Sequence, residues 1–409
     1  MARSKALRHR MCVSPDHPDA PAMPTSDNDL RFPYMKWAKT ESFLSPYCLA
    51  QSGMPAPDQA FLGDPWLPEL GHVGPEDLEA RLGELFAVDP ARVLMFPGAS
   101  SAMLVAALRW FRPGSRVCSE TPSYEPFRAL PAYLGATTVD LERRAENRWQ
   151  PDPAQAAQAL AEARQLERRG SGPGHVFLSN LSNPTGVLTP PETIALLAAV
   201  AAEADDGVGS DDNNCTGGGL LISNEIYMEY VPPARRVHAH ALAPNAVSIG
   251  SLTKAYGLGA LRVGWMILGE GLAAERRHLE DMANLAYVNA APVTIEAGLR
   301  ALDALPTLTQ PLRRVEVEAR PHWERWLRES PLVETVLPEF GIIAFPRICG
   351  VDDTRALVRF LQAEFGVDVT PGEFFGAPGH LRIGCGVPEA TLVEGLPRLG
   401  AGIEAYLSR

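Results

Sequence analysis

Residues 251–258 read Ser251-Leu252-Thr253-Lys254-Ala255-Tyr256-Gly257-Leu258, and Arg262-Val263-Gly264-Trp265 follows shortly after. One lysine stands among small and apolar neighbours, three residues after a hydroxyl and eight before an arginine. A lysine amine forms a Schiff base with an aldehyde. Serine and arginine hold a phosphate, the arginine through a bidentate fork. The stretch therefore points to a small molecule that carries both an aldehyde and a phosphate, which describes pyridoxal 5′-phosphate (PLP). The competing reading is a surface lysine beside a glycine-rich turn.

Outside this stretch, the chain has the composition of a globular protein. Its 409 residues, 46% of them hydrophobic, suffice for two or more domains, each with its own core. The formal net charge of −12, with both signs interspersed, argues against nucleic acid or an anionic membrane surface as partner. No apolar run is long enough to span a bilayer. The six cysteines, at 12, 48, 118, 215, 349 and 385, form no C-x-x-C pair and no Cys/His cluster. They read as reduced thiols of a cytoplasmic protein, with neither a disulfide framework nor a metal site. The basic start, Met1 to Arg10, lacks the apolar core of a secretory signal. With the Pro/Asp/Ser-rich run to Asn28, it makes residues 1–30 an expected disordered tail, an organellar transit peptide being the alternative.

Helical and apolar-strand patterns alternate through the middle of the chain, as a parallel α/β sheet requires. Strands are expected at 92–96, 116–119, 175–179, 220–223, 246–249 and 264–268, and helices at 102–110, 153–168 and 191–204. A long amphipathic helix is expected from about Thr307, interrupted by Pro321. These patterns predict a large domain at 60–300, with a mostly parallel sheet flanked by helices. A smaller α+β domain would combine 31–59 with 301–409. The segment 205–219, acidic and rich in glycine, reads as a surface loop. Its functional alternative, a calcium loop, lacks a carboxylate at the required spacing.

Further motifs lie on either side of the lysine. Gly98-Ala99-Ser100 sits at a strand-to-helix turn, where amide groups and the positive helix end suit a phosphate, though a serine there also serves as a plain N-cap. Tyr124 lies in Pro122-Ser-Tyr-Glu-Pro126, and locally it reads equally well as a core tyrosine. Asn183-Pro184-Thr185-Gly186 follows a strand and has the composition of a turn. Asn224-Glu225-Ile226-Tyr227 ends another strand, and Arg382 lies in His380-Leu-Arg-Ile-Gly384.

In order and spacing, these segments resemble the aspartate aminotransferase family, the class I/II aminotransferases of PLP fold type I, from about residue 45 to the end. The resemblance implies PLP as cofactor, an amino acid and a 2-oxo acid as substrates, and a homodimer. It implies that Lys254 is the Schiff-base lysine and proton shuttle, and that Gly98, Ala99, Ser100, Ser251 and Arg262 form the phosphate cup. Tyr124 would stack on the pyridine ring. Asn183 and Tyr227 would hydrogen-bond the cofactor 3′-oxygen, Asn183 also lying near the substrate carboxylate that Arg382 grips. Gly53, in Gln51-Ser-Gly-Met54, would correspond to the glycine that approaches the substrate.

Two positions depart from the family. Asn224 stands where an aspartate is expected. A carboxylate keeps a pyridine nitrogen protonated, whereas a neutral amide supplies no such charge. Glu69 stands where the family carries a tyrosine that reaches the partner subunit's phosphate, with His72 nearby.

The expected activity is transfer of an amino group from an amino acid to a 2-oxo acid. The alternatives are a fold type I lyase, decarboxylase or oxidase acting on an amino acid, or a catalytically altered PLP-binding protein, both motivated by Asn224. Lys36, Asn289 and Arg347 are candidates for side-chain specificity.

Overall fold

The computed structural model describes residues 32–42, 45–55, 57, 73–166, 172–203 and 218–409. The expectations for residues 1–30, for Glu69 and His72, and for nearly all of the 205–219 loop lie outside these residues.

The chain enters through a short helix, α1 (Pro33–Thr40), and a two-residue strand, β1 (Tyr47–Cys48). Helix α2 (Pro75–Phe86) leads to the central sheet. Its strands are β2 (Val93–Phe96), β3 (Arg116–Thr121), β4 (Thr137–Glu142), β5 (Gly174–Ser179), β6 (Leu221–Asn224), β7 (Ala246–Ser251) and β8 (Gly264–Leu268). The spatial order is β2-β8-β7-β6-β5-β3-β4. All neighbours pair in parallel except β8, which runs antiparallel to both β2 and β7. The mostly parallel sheet expected from the sequence is thus present. The strand over 137–142, a polar edge strand without a continuous apolar run, was not legible in the pattern.

Strands β2 and β5 to β8 are buried along their whole length, as parallel strands covered on both faces should be. Alternate residues serve opposite faces. Phe177, Ile222, Val247 and Ile249 pack with Ala102, Met103 and Ala106 of α3 (Ala99–Trp110). Val176, Leu178, Leu221 and Ala246 pack with helices α5 (Pro153–Leu166) and α6 (Pro191–Glu203), reached after α4 (Pro126–Tyr133).

The C-terminal part forms a three-stranded antiparallel sheet of Ile343–Ala344, Leu381–Gly384 and Thr370–Pro371 and ends in the helix Glu389–Leu407. β1 pairs in parallel with Val367–Asp368 in a separate two-stranded sheet, against which the helix Glu389–Leu407 packs.

The helical run from Leu305 to Glu329 corrects one expectation. Pro321 does not interrupt it. Val315–Ala319 instead form a wider π-type turn, and an α-helix resumes at Arg320 with the proline in its first turn. A proline in the first turn lacks only an N–H that would be unpaired there anyway, and the widened turn absorbs its ring.

Candidate active site

In open α/β sheets, ligands bind beyond the carboxyl ends of the parallel strands. Here the register brings several such ends level. Ser179 pairs with Asn224, Asn224 with Ile249, and Ser251 with Gly264. Because β8 is antiparallel, its entering end lies at this same edge, with Arg262 just ahead of it. Phe96 also pairs with Gly264, which delivers Gly98 to the same place. One cavity at this edge is lined by Ala99, Ser100, Tyr124, Asn183, Asn224, Ser251, Lys254 and Arg262. These residues come from segments that span more than 160 positions of the chain, and all were expected from the sequence.

At one end of the cavity, α3 begins. Its first amide groups have no partner within the helix. Gly98 has φ +85°, and a Cβ there would lie 2.4 Å from Arg262 Nη2. Arg262 Nη2 donates to the Pro97 carbonyl at 3.0 Å. This is a cradle of amides, a hydroxyl at Ser251 and a guanidinium, all suited to a phosphate.

Lys254 follows β7. Its Nζ donates to Ser52 Oγ at 3.1 Å. The backbone of 52–54 runs along it, with Met54 N–H donating to the Lys254 carbonyl at 2.9 Å. A Cβ at Gly53 would stand 3.2 Å from Lys254 Cδ, so the glycine lies against the lysine.

Arg382 is 1% exposed. Its Nη1 donates to Asn183 Oδ1 at 2.9 Å and its Nη2 to the Tyr34 hydroxyl at 2.8 Å. Longer bonds reach the Ala50 carbonyl and Thr370 Oγ1. Among the described residues no carboxylate pairs with this guanidinium. A buried cation without an anion is costly, so the arrangement calls for a bound anion. The turn that carries Asn183 is pinned by Gly186 (φ +74°), where a Cβ would fall 2.2 Å from the Ile343 carbonyl.

Asn224 is buried. Its Oδ1 accepts from Ile226 N–H at 3.3 Å, and its Nδ2 donates to Met103 Sδ at 3.2 Å. The backbone N–H fixes which atom of the amide turns away from the chain, because a flipped amide would set donor against donor. Tyr227, 1% exposed, has a hydroxyl without a hydrogen-bond partner among the described residues. That orphaned donor, the Gly98–Arg262 cradle and the anion-seeking Arg382 fit PLP and an amino acid.

Sequence reading missed Tyr34, Ser52, Met103, Ile226 and Thr253, which also line or edge the cavity. Ser52 adjoins a glycine that was singled out. Tyr34 stands in no motif. Lys36 and Asn289 are exposed, and Arg347 is exposed and pairs with Glu334; none of the three lines this cavity. No group of three metal-ligating side chains occurs among the described residues, and none of their helices is long and apolar enough to cross a membrane.

Comparison with known proteins agrees with this picture. The family model for aminotransferase class I and II matches residues 70–399. The chain is 27% identical over 387 residues to capreomycidine synthase of Streptomyces vinaceus, covering 89% of this chain and 91% of that protein. It is 28% identical over 351 residues to valine–pyruvate aminotransferase of Mycobacterium tuberculosis, covering 82% and 81%. A PLP-dependent aminotransferase from Streptococcus suis superposes with a TM-score of 0.77 at 22% identity, over 92% of this chain and 99% of that one, a likeness of fold.

Proposed function

This chain belongs to the aminotransferase class I and II family and is a PLP-dependent aminotransferase, and on that premise we propose how its residues divide the work. When bound, PLP supplies an electron-withdrawing ring joined to the substrate nitrogen. Gly98, Ala99 and Ser100 at the start of α3, with Ser251 and Arg262, hold the phosphate. Tyr124 covers the ring, and Asn183 and Tyr227 hydrogen-bond the 3′-oxygen. Arg382 takes the substrate carboxylate, and Gly53 leaves room beside the lysine for the rest of the substrate. Lys254 Nζ would remove the α-proton and return it two atoms away, so that water can release the amino acid's carbon skeleton as a 2-oxo acid while its nitrogen stays with the cofactor for the second substrate.

The observation that carries this reading is a single cavity lined by Lys254 and by the Asn183 and Tyr34 that hold a buried, anion-seeking Arg382, with the helix-terminus residues Ala99 and Ser100 also in its wall. The test uses one substrate at a time. The holoenzyme mixed with a reactive amino acid alone should release about one equivalent of 2-oxo acid per site and then stop until an oxo acid is added. Continuous ammonia or carbon dioxide release from the amino acid would instead favour a lyase, oxidase or decarboxylase.

Asn224 supports that second reading. Its outward atom is an N–H donor, and such a donor meets an unprotonated ring nitrogen, which withdraws electrons less strongly. Residues 60–300 serve as the large domain and 31–59 with 301–409 as the small one. A cytoplasmic homodimer is the form in which we place this enzyme, in keeping with its family and with the scattered cysteines.

A further inference from the structure

One side chain outside every motif stands between the lysine and the arginine. Tyr34 projects from α1, which is fixed over the cavity because Tyr34 N–H donates to Glu125 Oε1 at 2.7 Å and Met35 N–H to Glu125 Oε2 at 3.4 Å. Its ring is walled by Tyr124, edge-on at 5.9 Å, and by Phe374 and Phe375. Its hydroxyl oxygen accepts from Arg382 Nη2 at 2.8 Å, and the hydroxyl shares a hydrogen bond with Ser52. Ser52 in turn accepts from Lys254 Nζ. Two hydroxyls therefore connect the amine to the guanidinium, and the guanidinium donates to the Tyr34 oxygen. Such an arrangement favours a phenolate.

The charges around the phenol agree. Burial works to raise its pKa, but Arg382 first, and then Lys254 while its amine is free, outweigh it and bring the phenol below its ordinary value of 10.0. The other titratable groups facing it are Tyr124 and Glu125, whose carboxylate is engaged by the α1 amides.

Resting on the aminotransferase reading above, we propose that Tyr34 is the base that takes the proton an incoming amino acid must shed before its nitrogen can attack. The substrate arrives as an ammonium. One N–H bond breaks, one O–H bond forms on Tyr34, directly or with Ser52 passing the proton on, and a neutral amine remains. Arg382 then exchanges the phenol for the substrate carboxylate. The arriving anion disfavours phenolate beside it, so the event that seats the substrate also makes Tyr34 a stronger base. Lys254 is left free for the α-proton.

Two readouts on the holoenzyme test this. The first is the ultraviolet tyrosinate difference between wild type and Tyr34→Phe, titrated with pH, with and without succinate as a carboxylate probe. The expected difference is one tyrosine ionising below pH 10.0, moving upward when succinate binds. The second is the pH profile of kcat/KM. Tyr34→Phe should lose the acid limb and fall on the order of 10²-fold on its plateau, while Ser52→Ala, which keeps the phenol, should retain that limb. A difference that titrates at or above 10.0 and ignores succinate, or an unchanged acid limb in Tyr34→Phe, overturns the proposal. Failure of the aminotransferase reading would look different, because the wild type itself would then release no oxo acid.

Discussion

Asn224 is the residue that most sets this site apart, and its environment makes a sharp expectation. Ile226 N–H holds the side-chain oxygen, so the amide offers a donor to the cavity. In Asn224→Asp a carboxylate would take that place, favour the protonated form of a ring nitrogen and strengthen electron withdrawal. The variant should transaminate faster or show a shifted cofactor absorption band, and no change in either contradicts the role. Arg382 makes a second expectation. Arg382→Ala should raise KM for amino acids more than it weakens PLP binding, since its hydrogen bonds go to Asn183 and Tyr34 and away from the phosphate cradle. The reverse pattern would move Arg382 out of the substrate site. At this scale, legibility in the sequence followed distance along the chain. Lys254, Ser251 and Arg262 share one short segment and declared themselves. Tyr34 meets Arg382 across 348 positions, with no local pattern around the tyrosine, and only the folded chain shows the contact.

Among the elements, the strand ends do most to place the site, and buried ionic contacts fix them. Glu120 on β3 and Arg143 just after β4 are wholly buried and pair at 2.8 Å. Glu120 also accepts from Ser179 N–H at 2.8 Å, and Ser179 Oγ accepts from Asn183 N–H at 2.9 Å. The pair thus reaches the turn that presents Asn183 to Arg382. Arg143→Met leaves a buried carboxylate without its cation and should cost about 3–5 kcal/mol of stability, measured by denaturant unfolding. A loss under about 1 kcal/mol, the worth of an exposed pair, would contradict this. The apolar strands were read from sequence because burial on both faces demands unbroken apolar runs. Strand 137–142 escaped notice because an edge strand is under no such demand, and the π turn at 315–319 escaped because a proline in the first turn of a resumed helix is indistinguishable, in sequence, from one that ends it.

For the molecule as a whole, two buried imidazoles act on acid stability with one sign, opposite to that of the Glu79 and Glu120 carboxyls that burial raises. Burial pushes His175 down to about 3 and His240 down to about 4, from 6.5. His175 Nδ1 accepts from Leu220 N–H and so depends on staying neutral. Below about pH 6.5 the unfolded chain takes up protons that these two folded imidazoles refuse, so their share of the stability is lost as the pH drops from 6.5 towards 4. The urea midpoint should therefore fall less between about pH 7 and about pH 5 in His175→Asn than in the wild type. The same pH dependence in both would contradict it. The central claim, that Lys254 carries the cofactor, has an unusually direct test, because the chain contains only four lysines, at 5, 36, 39 and 254. Borohydride reduction of the holoenzyme, followed by peptide mass mapping, should find the reduced pyridoxyl phosphate adduct on the peptide that holds Lys254 and on no other. An adduct on Lys36 or Lys39, or no adduct at all, would contradict the account.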